Sequence, residues 1–393
     1  MKYSILSISI IYICILCGCT NNETNDSTND KKSIVESKIS AEEAIKMSSD
    51  LANQMRSVTR TNDCIEVKDV LHWRKKDIIK ACNLNMKEKM QSVLPDTLLY
   101  VVNFKDSKGY AIVAADTRLG GVIAIIEKGN YSPSDVIEND GLRFYMKMLC
   151  YYFEKYIAAK EVPITRSVNA YTEWVVTEQV GPLTWTEWHQ SDPYNRNCPT
   201  INGQKAPAGC VPIAIGQIMA YHHAPTSYNN NYYLWDDFGN PLETPTTTAG
   251  CNSVASLIAT LGSQTNVTYG LDGSGTSFLN SLNGFEYMGY HYEYVNPYSL
   301  DLCWNEIDHS RPFFFSGHDE ESGHAWVVDG YMVKERVNIS NPNDVQYQDY
   351  IHCNWGWGGS SNGFYRDIFI TQYFYPIDIR IIYNIYPVNY NPS

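Results

Sequence analysis

A cysteine, a histidine and an asparagine set far apart in the chain are the residues whose types and settings could do chemistry. Cys210 lies in Gly209-Cys210-Val211-Pro212-Ile213-Ala214-Ile215-Gly216. Val211, Ala214 and Ile218 recur there at helical spacing, and Pro212 suits a first turn where a missing N–H costs nothing. The pattern predicts a helix with Cys210 at its N-terminal end. Unpaired N–H groups and the positive pole of the helix dipole favour a thiolate, lowering the thiol pKa below about 8.5. A lone cysteine is more often a small buried hydrophobe, so a base is needed to change that reading. His324 begins the alternating stretch Gly323-His324-Ala325-Trp326-Val327-Val328-Asp329-Gly330, which puts His324, Trp326 and Val328 on one face of a strand. Facing a thiol, its imidazole would take the proton and later return it to a leaving amine. Alone, His324 is more often structural. Asn354, ahead of Trp355-Gly356-Trp357-Gly358-Gly359, can accept from a ring N–H at a strand end, with Trp355 shielding that bond from water.

These residues need elements to carry them. Helical patterns around Cys210 and over residues 254–261 precede β patterns at 313–315, 325–328, 350–354 and 364–370. That order predicts an α+β unit over residues 173–393, with a helical half facing an antiparallel β half. Residues 39–160 read as a second, small α+β unit. Ser40-Ala41-Glu42-Glu43 is a capping-box pattern ahead of an apolar stripe of Ala44, Ile45, Leu51, Ala52 and Met55. Apolar runs at 98–104 and 110–114 flank Asp106-Ser107-Lys108-Gly109, a hairpin signal, and 122–126 supplies a third strand. Leu142, Met146, Leu149, Phe153 and Tyr156 mark a second amphipathic helix. This unit clusters no reactive side chains and is expected to pack or block. Between the two, residues 161–172 lose apolar periodicity and read as an exposed connector suited to a processing cut.

At 393 residues and 44% hydrophobic, the chain can bury two cores. Residues 167–393 hold 22 acidic and 7 basic side chains. Such a surface repels phosphate backbones, so nucleic acid is not an expected partner. The start, Lys2 with an apolar run over 5–16, reads as a secretory leader over residues 1–18. Leu16-Cys17-Gly18-Cys19 resembles a bacterial lipobox, which implies lipidation of Cys19. The polar residues 19–38 that follow form a tether, since they cannot offset their ordering entropy by burial. The eight cysteines after Cys19 lack CxxC spacing and read mostly as buried thiols. Cys198, Cys210, His222 and His223 lack the short separations of metal ligands. No metal or cofactor is implied.

The blocks Gly209-Cys210, Gly323–Gly330 and Asn354–Gly359, in that order, resemble the streptopain family of papain-like cysteine peptidases. Gln190-Ser191-Asp192-Pro193-Tyr194-Asn195 and Tyr269-Gly270 with Gly273-Ser274-Gly275-Thr276-Ser277 fit the same family, and residues 100–104 and 110–116 resemble its propeptide. The resemblance implies a papain-like two-lobed domain behind a propeptide that acts as an intramolecular inhibitor. It makes Cys210 the nucleophile, His324 the general acid/base and Asn354 the imidazole orienter beside Trp355. Gln190 and the N–H of Cys210 would bind the oxyanion, where losing one donor costs about 100- to 1000-fold. Ser274, Gly275, Thr276 and Gly323 would line the substrate cleft, and Asp329 would be structural. Val211-Pro212 departs from the small residues usual after the nucleophile and leaves specificity open. His189, His222 and His223 read as packing or surface residues. The expected protein is a cell-envelope lipoprotein, periplasmic or surface-facing, acting on protein or peptide substrates and releasing a soluble product on processing. An acyltransferase or cell-wall amidase shares the acyl-enzyme step, and a non-catalytic binder or inhibitor on the same fold is a third reading.

Overall fold

The structure, a computed structural model, describes residues 38–58, 64–82, 96–132, 137–159, 171–238, 244–295, 298–319, 322–369 and 378–388. The leader, Cys19, the tether up to residue 37 and connector residues 160–170 lie outside the described residues.

Local signals act where they stand. Ser40 and Glu43 exchange hydrogen bonds, with Ser40 N–H donating to Glu43 Oε2 at 2.8 Å and Glu43 N–H to Ser40 Oγ at 3.1 Å, and α1 (Ala41–Val58) follows. Strand β1 (Val67–Arg74) leads into a short α2 (Lys75–Ala81). Strands β2 (Thr97–Phe104), β3 (Tyr110–Ala114) and β4 (Val122–Ile126) then pair antiparallel in succession. Helix α3 (Asp140–Ala159) starts where Asn139 Oδ1 accepts the N–H of Leu142 at 3.0 Å.

The second half supplies β5 (Val175–Val180), α4 (Cys210–His222), α5 (Thr248–Gln264), α6 (Phe278–Tyr287), β6 (Tyr290–Val295) and α7 (Leu300–Asp308). Strands β7 (Phe313–His318), β8 (Gly323–Asn338), β9 (Asn341–Asn354), β10 (Gly363–Arg366) and β11 (Asp378–Pro387) complete it. The strand expected over 364–370 stops at Arg366. There Asp367 Oδ1 accepts the N–H of Phe369 at 3.0 Å, a local turn that competes with the ladder.

All of β1–β11 join one antiparallel sheet, in the order β1-β2-β3-β4-β10-β9-β8-β7-β11-β6 with β5 on β8. The two halves meet inside it, because Ile126, Ile125 and Ala124 of β4 pair with Gly363, Phe364 and Tyr365 of β10. One apolar core crosses that seam. Phe144 of α3 packs on Trp326 at 6.0 Å between ring centroids, and Tyr145 on Tyr365 at 4.8 Å. Phe144, Tyr145, Met148 and Leu149 are all buried, each worth about 1.5–3 kcal/mol relative to exposure.

Candidate active site

Helix α4 is buried on every side over residues 211–220, which are apolar except for Gln217. Such a helix belongs in the core, and its start delivers Cys210 to the edge of a cleft. Gly209 is required just before it: φ is +91°, and a β-carbon would lie 3.1 Å from the carbonyl oxygen of Ser274. The β7–β8 hairpin sets Gly317 opposite His324 and Phe315 opposite Trp326. Strand β9 puts Asn354 opposite Val327, three residues on from His324. Trp355 is fixed by its Nε1–H to Ser361 O at 3.0 Å and by its N–H to Asn362 Oδ1 at 3.1 Å.

Cys210 and His324 line one cleft of about 400 Å³, together with Ser274, Gly275, Thr276 and Gly323. The imidazole bonds the residue after Asn354 rather than Asn354 itself. His324 Nε2 lies 2.9 Å from the carbonyl oxygen of Trp355; a carbonyl only accepts, so the neutral ring carries its proton on Nε2. Asn354 is engaged elsewhere, its amide donating to Thr186 O at 2.7 Å and its Oδ1 accepting the N–H of Gly356 at 3.2 Å. Gln190 is joined to the nucleophile's approach by its backbone carbonyl, which accepts the N–H of Ala208 at 2.8 Å.

The electrostatics match an unassembled pair. Burial pushes the Cys210 thiol up, and the N–H groups of Ala325, Cys210 and Val211 offset this only in part. The lowered thiol pKa expected from the helix terminus is therefore reversed, because burial outweighs these N–H groups. Burial drives His324 down to about 4, and the positive charge of Arg143 adds to the effect against the Trp355 carbonyl.

Arg143 belongs to α3, which lies across this site. A β-carbon on Gly141 would overlap the Trp355 indole and stand 2.9 Å from His324 Cδ2. Asn139 Nδ2–H donates to Ser360 O at 2.8 Å, and Phe144 occupies the space over Gly317.

A family model described as Peptidase C10 family matches residues 188–365, and one described as Spi protease inhibitor matches residues 36–151. Residues 188–365 thus resemble the Peptidase C10 family, and residues 36–151 the Spi inhibitors. The chain is similar to the thiol protease/hemagglutinin PrtT of Porphyromonas gingivalis, 26% identical over 70% of the present chain and 34% of the relative. The chain thus spans about a third of that protein's length. It is 24% identical to streptopain of Streptococcus pyogenes over 71% of the chain and 76% of streptopain. In fold it resembles a fragment of prointerpain A from Prevotella intermedia, with a TM-score of 0.57 at 20% identity, covering 76% of this chain and 98% of that one. The fold is thus a papain-like α+β unit behind a region that matches the Spi protease inhibitor model.

Two polar contacts across the propeptide seam escaped sequence reasoning. His352 Nδ1 lies 2.5 Å from Asp329 Oδ1, and its Nε2 lies 3.5 Å from Glu127 Oε1 at the end of β4. Asp329 also accepts from Thr184 N–H at 2.9 Å and Thr184 Oγ1–H at 2.5 Å. Burial alone would lower the His352 pKa, but Asp329 and Glu127 together raise it to about 10. Lys147 of α3 pairs with Asp319, which lines the cleft shared by Cys210 and His324. A histidine two residues before Asn354 on the same strand face was the available signal for the first contact; nothing local marked the second.

Of the histidines read as packing or surface residues, His189 and His222 are half-buried and His223 is exposed. His189 Nδ1 accepts the N–H of Ser191 at 3.2 Å, His222 stands edge-on to Tyr221 and Tyr290, and His223 ends α4 in a left-handed conformation. Among the described residues no three His, Cys, Asp or Glu gather as metal ligands.

Proposed function

We propose that the chain is a lipid-anchored cysteine endopeptidase made as a zymogen. Cys210 attacks the scissile carbonyl as a thiolate whose proton has passed to His324. The negative charge that develops on the carbonyl oxygen is held by the N–H of Cys210 and the amide of Gln190. His324 returns the proton to the leaving amine, the C–N bond breaks, and water then hydrolyses the thioester with His324 as base. Asn354 orients the imidazole and Trp355 covers that contact, while Ser274, Gly275, Thr276 and Gly323 line the substrate cleft.

The observation that carries this reading is the shared cleft of Cys210 and His324 with the propeptide helix seated over it. In the covered state thiol and imidazole are both neutral, the wrong pair for attack. Leaving the site, α3 would remove the charge of Arg143 and the backbone at Gly141, freeing His324 to turn from the Trp355 carbonyl toward Asn354. Cleavage within residues 161–172 would release the enzyme from its propeptide. Cys19 would hold the precursor in the cell envelope, and the same cut would free a soluble product.

Intact mass followed over time, for residues 20–393 beside the same protein carrying Cys210→Ala, tests the proposal. Loss of roughly the first 140 to 150 residues in the wild type alone supports it, on the domain sizes expected of such a chain. Persistent intact mass in both, with no casein cleavage after trimming at the connector, would overturn it. Following the lipidated end and the catalytic half separately tests release: both staying on the membrane after complete processing removes that part.

A further inference from the structure

We propose that Asp319 forms a subsite for a positively charged substrate side chain, which Lys147 of the propeptide fills in the precursor. The inference rests on the peptidase reading above and concerns which side chains that cleft accepts. Three observations carry it.

Asp319 lines the same cleft as Cys210 and His324, at the mouth of the β7–β8 hairpin that presents the histidine. A carboxylate in that wall meets whatever lies along the cleft during attack.

The site already holds a primary ammonium. Lys147 pairs with Asp319, and their side chains are only 10% and 3% exposed. Burying a charge is costly unless it is matched, so this position is built for a cation rather than for water alone. Helix α3 places Phe144 over Gly317 and Lys147 three residues later on Asp319, so the two side chains project from one face of the helix. The covered wall therefore pairs an apolar seat with an acidic one.

The carboxylate is held in place by its own turn. Asp319 Oδ1 accepts the N–H of Ser322 at 2.8 Å, and the Asp319 N–H donates to Ser322 O at 2.9 Å. These bonds do not involve the propeptide, so the acid stays aimed when α3 leaves. Arg380, the other strong base on the cleft wall, is turned to Asp378, with its Nε 2.8 Å from Asp378 Oδ2, and lies over the Phe278 ring. Loss of Lys147 therefore vacates the ammonium position beside Asp319, where a lysine or arginine of the substrate would replace it.

The test uses the full chain, allowed to process until its activity is constant. Peptides carry one lysine walked through the positions flanking a fixed scissile bond, each beside a twin with Nε-acetyl-lysine. At one position the lysine peptide is expected to show a kcat/KM about tenfold above its twin, about 1.4 kcal/mol. That ratio should fall as salt is raised, and Asp319→Asn should bring it to within about twofold of one, the loss expected for a single removed charge. Cys210-dependent cleavage with a ratio near one at every position overturns the subsite and leaves the peptidase reading standing. A ratio that survives Asp319→Asn also overturns it. The wild-type comparison decides the matter even where the variant does not fold. No Cys210-dependent cleavage of any peptide removes the peptidase reading and the subsite with it.

Discussion

Gly141 of the propeptide helix lies so close against Trp355 that a single β-carbon there would overlap the indole and press on His324. The backbone of α3 itself is the cover, and glycine is what permits it. Alanine favours a helix over glycine by about 1 kcal/mol, so Gly141→Ala should strengthen α3 as a helix while spoiling its seat. We expect the variant to lose its propeptide several-fold faster than wild type, in the overpacking range of about 1–3 kcal/mol. Intact mass against time measures this, and an unchanged rate would show that Trp355 yields freely.

The depressed pKa of His324 ties the covered state to pH. Its folded value is about 4 against an ordinary 6.5, so the unfolded chain binds the proton more readily. Stability contributed by the neutral ring is present above pH 6.5 and lost as pH falls toward 4. The full loss is about 3 kcal/mol at 1.36 kcal/mol per pH unit. In the inert Cys210→Ala chain, denaturant midpoints should fall more steeply over this window than in Cys210→Ala with His324→Asn. Parallel curves would place the acid sensitivity elsewhere.

His352 has the opposite sign. Its pKa is raised from 6.5 to about 10 by Asp329 and Glu127, against burial. The stabilisation is complete below pH 6.5 and is lost as pH rises through 10. Glu127→Gln removes one of the two carboxylates, so the alkaline edge of stability in Cys210→Ala protein should move to lower pH. Imidazole proton shifts followed by NMR against pH would locate that edge, and an unmoved His352 titration refutes the part assigned to Glu127.

Lys147 and Asp319 should behave as a buried pair. Removing one partner strands the other, a loss of about 3–5 kcal/mol. Lys147→Met should loosen the propeptide and speed processing. Adding Asp319→Asn should recover part of the loss, because it removes the stranded charge. A double-mutant cycle on the processing rate reads the coupling; strictly additive effects would mean that the two side chains do not hold the propeptide.

Much of the first half was legible because its signals are local. The Ser40–Glu43 exchange, the strands either side of residues 106–109 and the α3 stripe each depend on neighbours a few residues apart. Strands β1, β5, β6 and β11 were not foreseen. Val-Val-Thr-Glu-Gln-Val of β5 is wholly exposed or half-buried and lacks the apolar alternation of a covered strand, and β6 buries only Tyr290. Such strands owe their place to partners far along the chain rather than to their own pattern.

The sequence by itself determined which residues could react and on what elements they ride: Cys210 at a helix start, His324 at the head of a strand, Asn354 at the end of another. Each follows from residue type and a period of 3.6 or 2. Only the tertiary structure decided that His324 bonds Trp355 rather than Asn354, that β4 and β10 make one sheet of two halves, and that Lys147 meets Asp319. Those contacts join residues 31, 237 and 172 positions apart, a range over which periodicity carries no information and packing alone selects partners. The thiol shows the same division, because a helix terminus argues for a thiolate while burial in the folded chain pushes its pKa up.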